Sequence, residues 1–254
     1  MKVLLTNDDG IYAKGLRALI DVLSTDHDVY VVAPAVEQSA KSHSITMHHP
    51  IMVNEIDMYE NVKVAYAIGG TPADCVKIAV EELLKVKPDI VISGINDGPN
   101  LGNDIIYSGT VAAAVEGSFY GINSVAVSLC GRRNDDFVAA AQFIANHIES
   151  FASMTLPSET AINVNVPQLS LSEIKGTKVT SVGVRKYANT FEHRHTPRGE
   201  AYYWLAGEPM EADQNGDSDI KAVREGYVSV TPIRFDFSFK GLNEELELII
   251  NKSV

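Results

Sequence analysis

The chain has 254 residues, of which 45% are hydrophobic, 21% charged and 7% aromatic, a balance that excludes a disordered tail, a collagen and a membrane span. A chain of this length buries enough surface for one sizeable core without staples, exposing about 11,000 Å² folded against about 40,000 Å² unfolded. Twenty-one Lys and Arg against 33 Asp and Glu leave a net charge of −12, which argues against nucleic-acid coating, because binding a phosphate backbone needs a basic face.

In chain order, Val3 to Thr6 reads as the first strand, and Leu16, Leu19, Ile20 and Leu23 follow at helical spacing. A second strand is expected at Val29 to Ala33. From Pro34 to Ile68 polar turns interrupt the rhythm, with strand-like pieces at Ile51 to Val53 and Val62 to Ala67, which predicts a loop and an antiparallel excursion. Thr71-Pro72 then supplies an N-cap and a proline at the first helical position, ahead of a helix carrying Val76, Val80, Leu83 and Leu84. Strands are expected at Ile90 to Ser93, Val125 to Leu129 and Ile162 to Val166. Between the first two lies a helix with Val111, Ala114, Val115 and Phe119, capped by Ser108 and starting around Thr110.

This alternation predicts an α/β fold, a mostly parallel sheet with helices on both faces. After Pro167 it fades into Gly, Tyr and charged residues. That predicts a β-hairpin extension, a strand at Tyr227 to Thr231 and a terminal helix carrying Leu242, Leu246 and Ile249. The chain is read as a single domain, 1–254, with a core over about 1–166 and the extension and C-terminal arm over about 167–254. Cys75 and Cys130 lie far apart in apolar stretches and form no CxxC, so two reduced core thiols are expected rather than a disulfide or zinc site. The apolar run before Asn7 is too short for a signal peptide, which points to a cytoplasmic protein.

The chemistry concentrates at three places. Asn7-Asp8-Asp9-Gly10 follows the first strand directly, and the carboxyl ends of parallel strands face the ligand crevice. Asn96 follows the strand that ends at Ser93 and opens onto the same edge if the two strands are neighbours or next-neighbours. Two adjacent carboxylates repel, and one protonates unless a cation holds both ionised. Carboxylate, amide carbonyl, hydroxyl and water are hard donors that suit Mg²⁺ or Mn²⁺ and suit zinc poorly. The alternative is that Asp8 and Asp9 merely cap the following helix.

Tyr107-Ser108-Gly109-Thr110 leads into an alanine-rich helix whose start offers free N–H groups and a positive dipole end to an anion such as phosphate. The Ser108 and Thr110 hydroxyls add donors; plain capping by Ser108 is the other reading. A chain at −12 that handles an anionic ester needs local positive potential from ions and dipoles. A divalent cation would supply it and position a water for in-line attack. No GK[ST] follows the glycines and no GxGxxG follows the first strand, which weakens ATPase and dinucleotide readings.

The start Leu-Leu-Thr-Asn-Asp-Asp-Gly-Ile-Tyr-Ala-Lys-Gly-Leu and the stretch from Ser93 to Gly117 together resemble the SurE (survival protein E) nucleotidases. So do Glu37-Gln38-Ser39, Ser44-Ile45-Thr46, Gly69 to Cys75, Asn163 to Pro167, Tyr202 to Leu205 and Gly226 to Pro232, in order along nearly the whole chain. The resemblance implies a metal-dependent phosphatase acting on nucleoside 5′- and 3′-monophosphates, with short polyphosphate as a further substrate in some members. It implies one divalent cation per subunit, Mg²⁺ or Mn²⁺, held by Asp8, Asp9, Ser39 and Asn96, and a phosphate cradle of Asn96, Ser108, Gly109 and Thr110. Asp8, Asp9 and Asn96 are the implied catalytic residues. It also implies a Rossmann-like sheet whose C-terminal arm is exchanged between subunits of a homodimer or homotetramer.

The chain departs from that pattern at Ala40, where glycine often follows the metal-site serine, at Asp97, which adds a carboxylate beside Asn96, and at Ser218, usually threonine. His43, on the Ser39 loop, is a candidate to approach the phosphate or protonate the leaving oxygen. His48-His49 and the pair His193 and His195 lack the carboxylate context of a metal site and are expected as exposed loop histidines. The run from Arg185 to Trp204 mixes bases with aromatics, either as a lid that stacks on a nucleobase or as a hairpin's own packing face. A haloacid-dehalogenase-like aspartyl nucleophile is disfavoured, because that chemistry uses Asp-x-Asp. The rival from another class is a non-catalytic nucleotide sensor using the same crevice, which needs the anion site but not the metal.

Overall fold

Val3, Leu4, Leu5 and Thr6 are all fully buried, which requires cover on both faces of the strand that carries them. The computed structural model describes every residue except 58, 132–135, 189, 211–215, 237 and 252–254. Its strands are β1 (Lys2–Thr6), β2 (Asp28–Pro34), β3 (Val53–Glu55), β4 (Val64–Ile68), β5 (Ile90–Asp97), β6 (Asn123–Cys130) and β7 (Thr160–Pro167). Beyond these come β8 (Thr177–Val179), β9 (Lys186–Ala188), β10 (Phe191–His195), β11 (Ala201–Leu205), β12 (Glu208–Met210) and β13 (Val228–Arg234). Nine of them form one sheet in the order β3-β4-β2-β1-β5-β6-β7-β13-β8. Every neighbouring pair is parallel except β3 with β4 and β13 with β7. The expected α/β fold is therefore the observed one.

Strand periodicity sorts the core into two layers. Val3, Leu5, Ile90, Ile92, Val125 and Val127 face helices α1 (Lys14–Leu23) and α4 (Val138–Ser153). Their alternates Leu4 and Val91 face α2 (Pro72–Ile78) and α3 (Gly109–Phe119), with Ala126 packed against α3. Successive side chains on a strand point to opposite faces, so a single apolar run serves both layers. The expected cap at Thr71 is a complete capping box with Asp74, and α2 runs on into a π-helical turn over Ala79–Leu83. The sequence reading placed no element at α4, although Ala140, Phe143, Ile144, Ile148 and Phe151 recur there at helical spacing and are buried.

One expectation needs correction. The piece at Val62 to Ala67 was assigned to an antiparallel excursion, but β4 pairs in parallel with β2 from Tyr30↔Val64 to Pro34↔Ile68, and only the three-residue β3 runs the other way. The strand expected at Tyr227 to Thr231 is β13, which lies between β7 and the edge strand β8.

The surface measures 14287 Å², against the roughly 11,000 Å² expected of a compact chain of this size. Two elements account for much of the excess. The hairpin β10–β11 is exposed along both strands, and the terminal helix α6 (Asn243–Asn251), which follows the short helix α5 (Asp219–Arg224), buries no residue. Among the described residues no helix is long and apolar enough to cross a membrane.

Candidate active site

Because β1 and β5 are direct parallel neighbours, with Thr6 opposite Ser93, the loops that leave their carboxyl ends emerge side by side. Asn7 shapes the first of them. Its buried amide donates to Gly10 O (2.9 Å) and accepts from Gly10 N (3.2 Å), a tight turn that Gly10 completes at φ +101°. Asp8 and Asp9 are presented at the tip of that turn. In the second loop, the β5–β6 register shifts between Ser93 and Asn96, a bulge that re-aims the Asn96 side chain. The Asn96 amide nitrogen donates to Gly98 O (2.8 Å), which leaves its carbonyl oxygen as the group available to a ligand.

The third element meets the first at very short range. Thr110 Oγ1 donates to Asp8 Oδ1 at 2.5 Å, and Ser108 caps α3 by accepting from Val111 N at 3.1 Å. A side chain at Gly109 would put its Cβ 2.9 Å from Asp8 Cβ and 3.1 Å from Pro72 Cγ, so the start of α3 can lie against Asp8 only with glycine there. The helix begins at Gly109, one residue before the expected start. Among the described residues the Gly109 N–H has no hydrogen-bond partner, and it is a helix-terminal donor available to an anion. The Thr110 hydroxyl, expected to face the anion, serves Asp8 instead.

Ser39 lies on the exposed loop after β2, where its hydroxyl donates to Glu37 Oε1 at 2.8 Å and the neighbouring Gln38 N donates to Asp8 O at 2.7 Å. Ala40 and Ser42 sit at φ +56° and +55°, the left-handed region that favours glycine. Ala40, where the resemblance leads one to expect glycine, thus holds a conformation that glycine adopts without strain. Asp8, Asp9, Ser39, Asn96 and Ser108 all line one cavity of about 1000 Å³. Thr110 lies fully buried behind it.

His43 is brought elsewhere. Its Nε2 lies 2.8 Å from Glu116 Oε2, its ring stacks on Phe119 at 5.7 Å, and it does not line the cavity. Instead of the suggested contact with phosphate, the imidazole lies within hydrogen-bond distance of the buried Glu116 carboxylate in the middle of α3.

Several cavity residues escaped the sequence reading, among them Lys14, Glu37, Asp104, Phe137 and the wall position of Tyr187. Asp104 accepts from Arg185 Nη1 at 2.9 Å and from the Tyr187 hydroxyl, while the buried Asp219 carboxylate accepts from Gly102 N and Gly183 N. These contacts fold the segment before the hairpin onto the turn at Gly102–Tyr107. Nothing in local spacing signals them, since the partners are separated by 36 to 117 residues. Of the suggested base-stacking run, Tyr187 and Thr190 line the cavity, and Leu205 joins them from just beyond the run; Tyr203 instead stacks on His193 at 4.7 Å. Asn163 and Asn165 both donate to Asn100 O, holding the far end of the Asn96 loop.

The electrostatics are those of crowded acids. Burial holds the Asp8 carboxyl above its ordinary range, although the Thr110 hydroxyl pulls it down. Asp9 is pushed up to about 6, chiefly by burial and then by the charges of Asp8, Asp97 and Glu37. Among the described residues, no three His, Cys, Asp or Glu side chains converge as a ready metal cluster. The set here is two carboxylates, an amide oxygen and a hydroxyl. Such all-oxygen donors with unrelieved negative charge fit a hard divalent cation.

A family profile described as "Survival protein SurE" matches residues 3–189. The chain belongs to the SurE family. A SurE protein of Alkaliphilus metalliredigens, named 5′-nucleotidase SurE, is 47% identical over 254 residues, covering 99% of this chain and 100% of that one. The protein of the same name from Heliobacterium modesticaldum is 48% identical over 246 residues, 97% of this chain and 90% of that one. The crystal structure of the SurE protein from Aquifex aeolicus superimposes with a TM-score of 0.86 at 39% identity, covering 98% of this chain and 99% of that chain. The SurE fold thus extends past the matched profile to the hairpin, β13 and α6.

Proposed function

We propose that this chain is a divalent-cation-dependent phosphomonoesterase that hydrolyses nucleoside 5′- and 3′-monophosphates, with short polyphosphate as a secondary substrate. The observation that carries the reading is the contact of Asp8 with the start of α3. It sets two crowded carboxylates that line the cavity against the start of α3, whose cap Ser108 lines the same cavity. The names of the relatives support the substrate class.

Asp8, Asp9, Asn96 and Ser39 hold the cation, Mg²⁺ or Mn²⁺, one per subunit. When bound, it neutralises the acids and polarises a phosphoryl oxygen. Gly109 N–H and the Ser108 hydroxyl bind the phosphoryl group at the positive end of α3. Thr110 orients Asp8 and favours its ionised form. Water attacks phosphorus in line, and no side chain becomes phosphorylated. Tyr187 and Leu205 form the wall against which the nucleoside lies. A homodimer or homotetramer is supported by the exposed hairpin and α6, and a cytoplasmic setting by two unpaired thiols, Cys75 and Cys130.

The test is release of inorganic phosphate from AMP and a chromogenic ester. Activity must disappear with a chelator and in Asp8→Asn with the fold intact. A metal-replete protein that binds AMP without hydrolysing any phosphomonoester would establish the sensor in its place.

A further inference from the structure

The loop between β2 and β3 carries Ser39 but contains no helix or strand of its own, so its geometry depends on a few attachments. Ser42 N donates to Tyr107 O at 3.0 Å, and Ser42 Oγ donates to Ile106 O at 2.6 Å. Both acceptors immediately precede Ser108. The next residue, His43, reaches Glu116 at 2.8 Å, two turns along α3, and its ring packs against Phe119 and Phe235, which also touch each other. Further along, Ser44 O accepts from Thr71 Oγ1 and Thr46 N donates to Asp74, fastening the loop's descent to α2.

We propose that Ser42 and His43 form a two-point latch that positions the Ser39 loop on the element carrying the phosphate cradle, fixing Ser39 relative to Ser108 and Gly109. They are positioning residues and touch neither the cation nor the phosphate. The inference rests on the proposed function for the identity of the ligands.

The physical case has three parts. Ser42 adopts φ +55°, a conformation that disfavours any side chain, and it is kept there by two hydrogen bonds to consecutive carbonyls. The Glu116 carboxylate is buried on α3 with Lys77 Nζ 3.9 Å away, so losing His43 removes its closest partner and costs more than an exposed contact is worth. Finally, Ser39 is exposed and, among the described residues, its hydroxyl bonds within its own loop to Glu37, so the latch and the Gln38–Asp8 contact restrain it before any ion arrives. Holding an exposed ligand in place reduces the ordering cost of binding, and it acts on affinity rather than on the chemical step.

The test measures Mn²⁺ binding directly, from the electron paramagnetic resonance signal of the free ion, alongside phosphate release from AMP. Removing both points in Ser42→Ala/His43→Ala is expected to raise the Mn²⁺ dissociation constant about tenfold, with kcat at saturating Mn²⁺ within about twofold of wild type. Glu116→Gln retains an oxygen acceptor for His43 and is expected to bind Mn²⁺ as wild type does. Equal Mn²⁺ affinity in wild type and the double variant, including no binding by either, overturns the latch. So does loss of kcat at unchanged Mn²⁺ affinity, the signature of His43 as a general acid. If the double variant does not fold, Glu116→Ala makes the same comparison, with an expected rise of about threefold. A wild type that binds Mn²⁺ and hydrolyses nothing refutes the proposed function, while the binding comparison still decides the latch.

Discussion

Thr110 Oγ1 donates to Asp8 Oδ1 across 102 residues of sequence, joining the end of β1 to the first turn of α3. Replacing that hydroxyl by a methyl in Thr110→Val preserves shape and removes the donor that favours ionised Asp8. Affinity for Mn²⁺ is expected to fall about tenfold while the fold persists. Titration with Mn²⁺ and circular dichroism check both halves; unchanged affinity would remove Thr110 from the site's electrostatics.

Asp9 predicts an inverse relation between stability and metal competence. Its folded value of about 6 lies above the unfolded 3.8, so the fold prefers the protonated form. Its contribution to stability is fully present below the unfolded value and is lost as pH rises through about 6. Asp9→Asn, neutral throughout, is therefore expected to be more stable than the metal-free wild type above that pH, by about 2 kcal/mol, with the gap closing near pH 4. Thermal melting in chelator across that range reads the gap, and a difference that widens on acidification would reverse the assignment.

Ala40 holds a left-handed φ of +56° without being glycine. Ala40→Gly is expected to raise the melting temperature by the equivalent of about 0.5–1 kcal/mol, since relief of the Cβ conflict exceeds the added chain entropy. A lower melting temperature would mean that the methyl packs against something that outweighs its strain.

The exposed face of α6 bears Leu242 just before its start and Leu246 one turn on, both about half exposed. Leu242→Glu/Leu246→Glu is expected to lower the mass measured by light scattering from an oligomer toward a monomer, with the nine-stranded core intact. A wild type that is already monomeric would leave the helix without that role.

The alternation of strands and helices was readable because each inner strand is apolar on both faces and each helix keeps its own period. Asp8, Asp9 and Asn96 could be placed at one edge because the ends of parallel strands gather there, and Ser108 because it caps a helix start. The rest depended on contacts that sequence spacing does not encode. The parallel pairing of β4 rests on which edge of β2 is vacant. The wall at Tyr187 rests on Asp104 accepting from Arg185 and Tyr187, and on Asp219 accepting from Gly102 and Gly183, across long loops. His43 looked like a site residue from its neighbours in the chain, yet the buried Glu116 on α3 decides where its ring goes.

The fit at Gly109 has a bearing on how this protein can change. With Asp8 and Pro72 both within about 3 Å of where a first side-chain atom would stand, every substitution at that codon has to displace the acid itself. Saturation mutagenesis there should return a single viable residue. Variants of the cavity are therefore better sought at Tyr187 and Leu205, which line it from other segments of the chain.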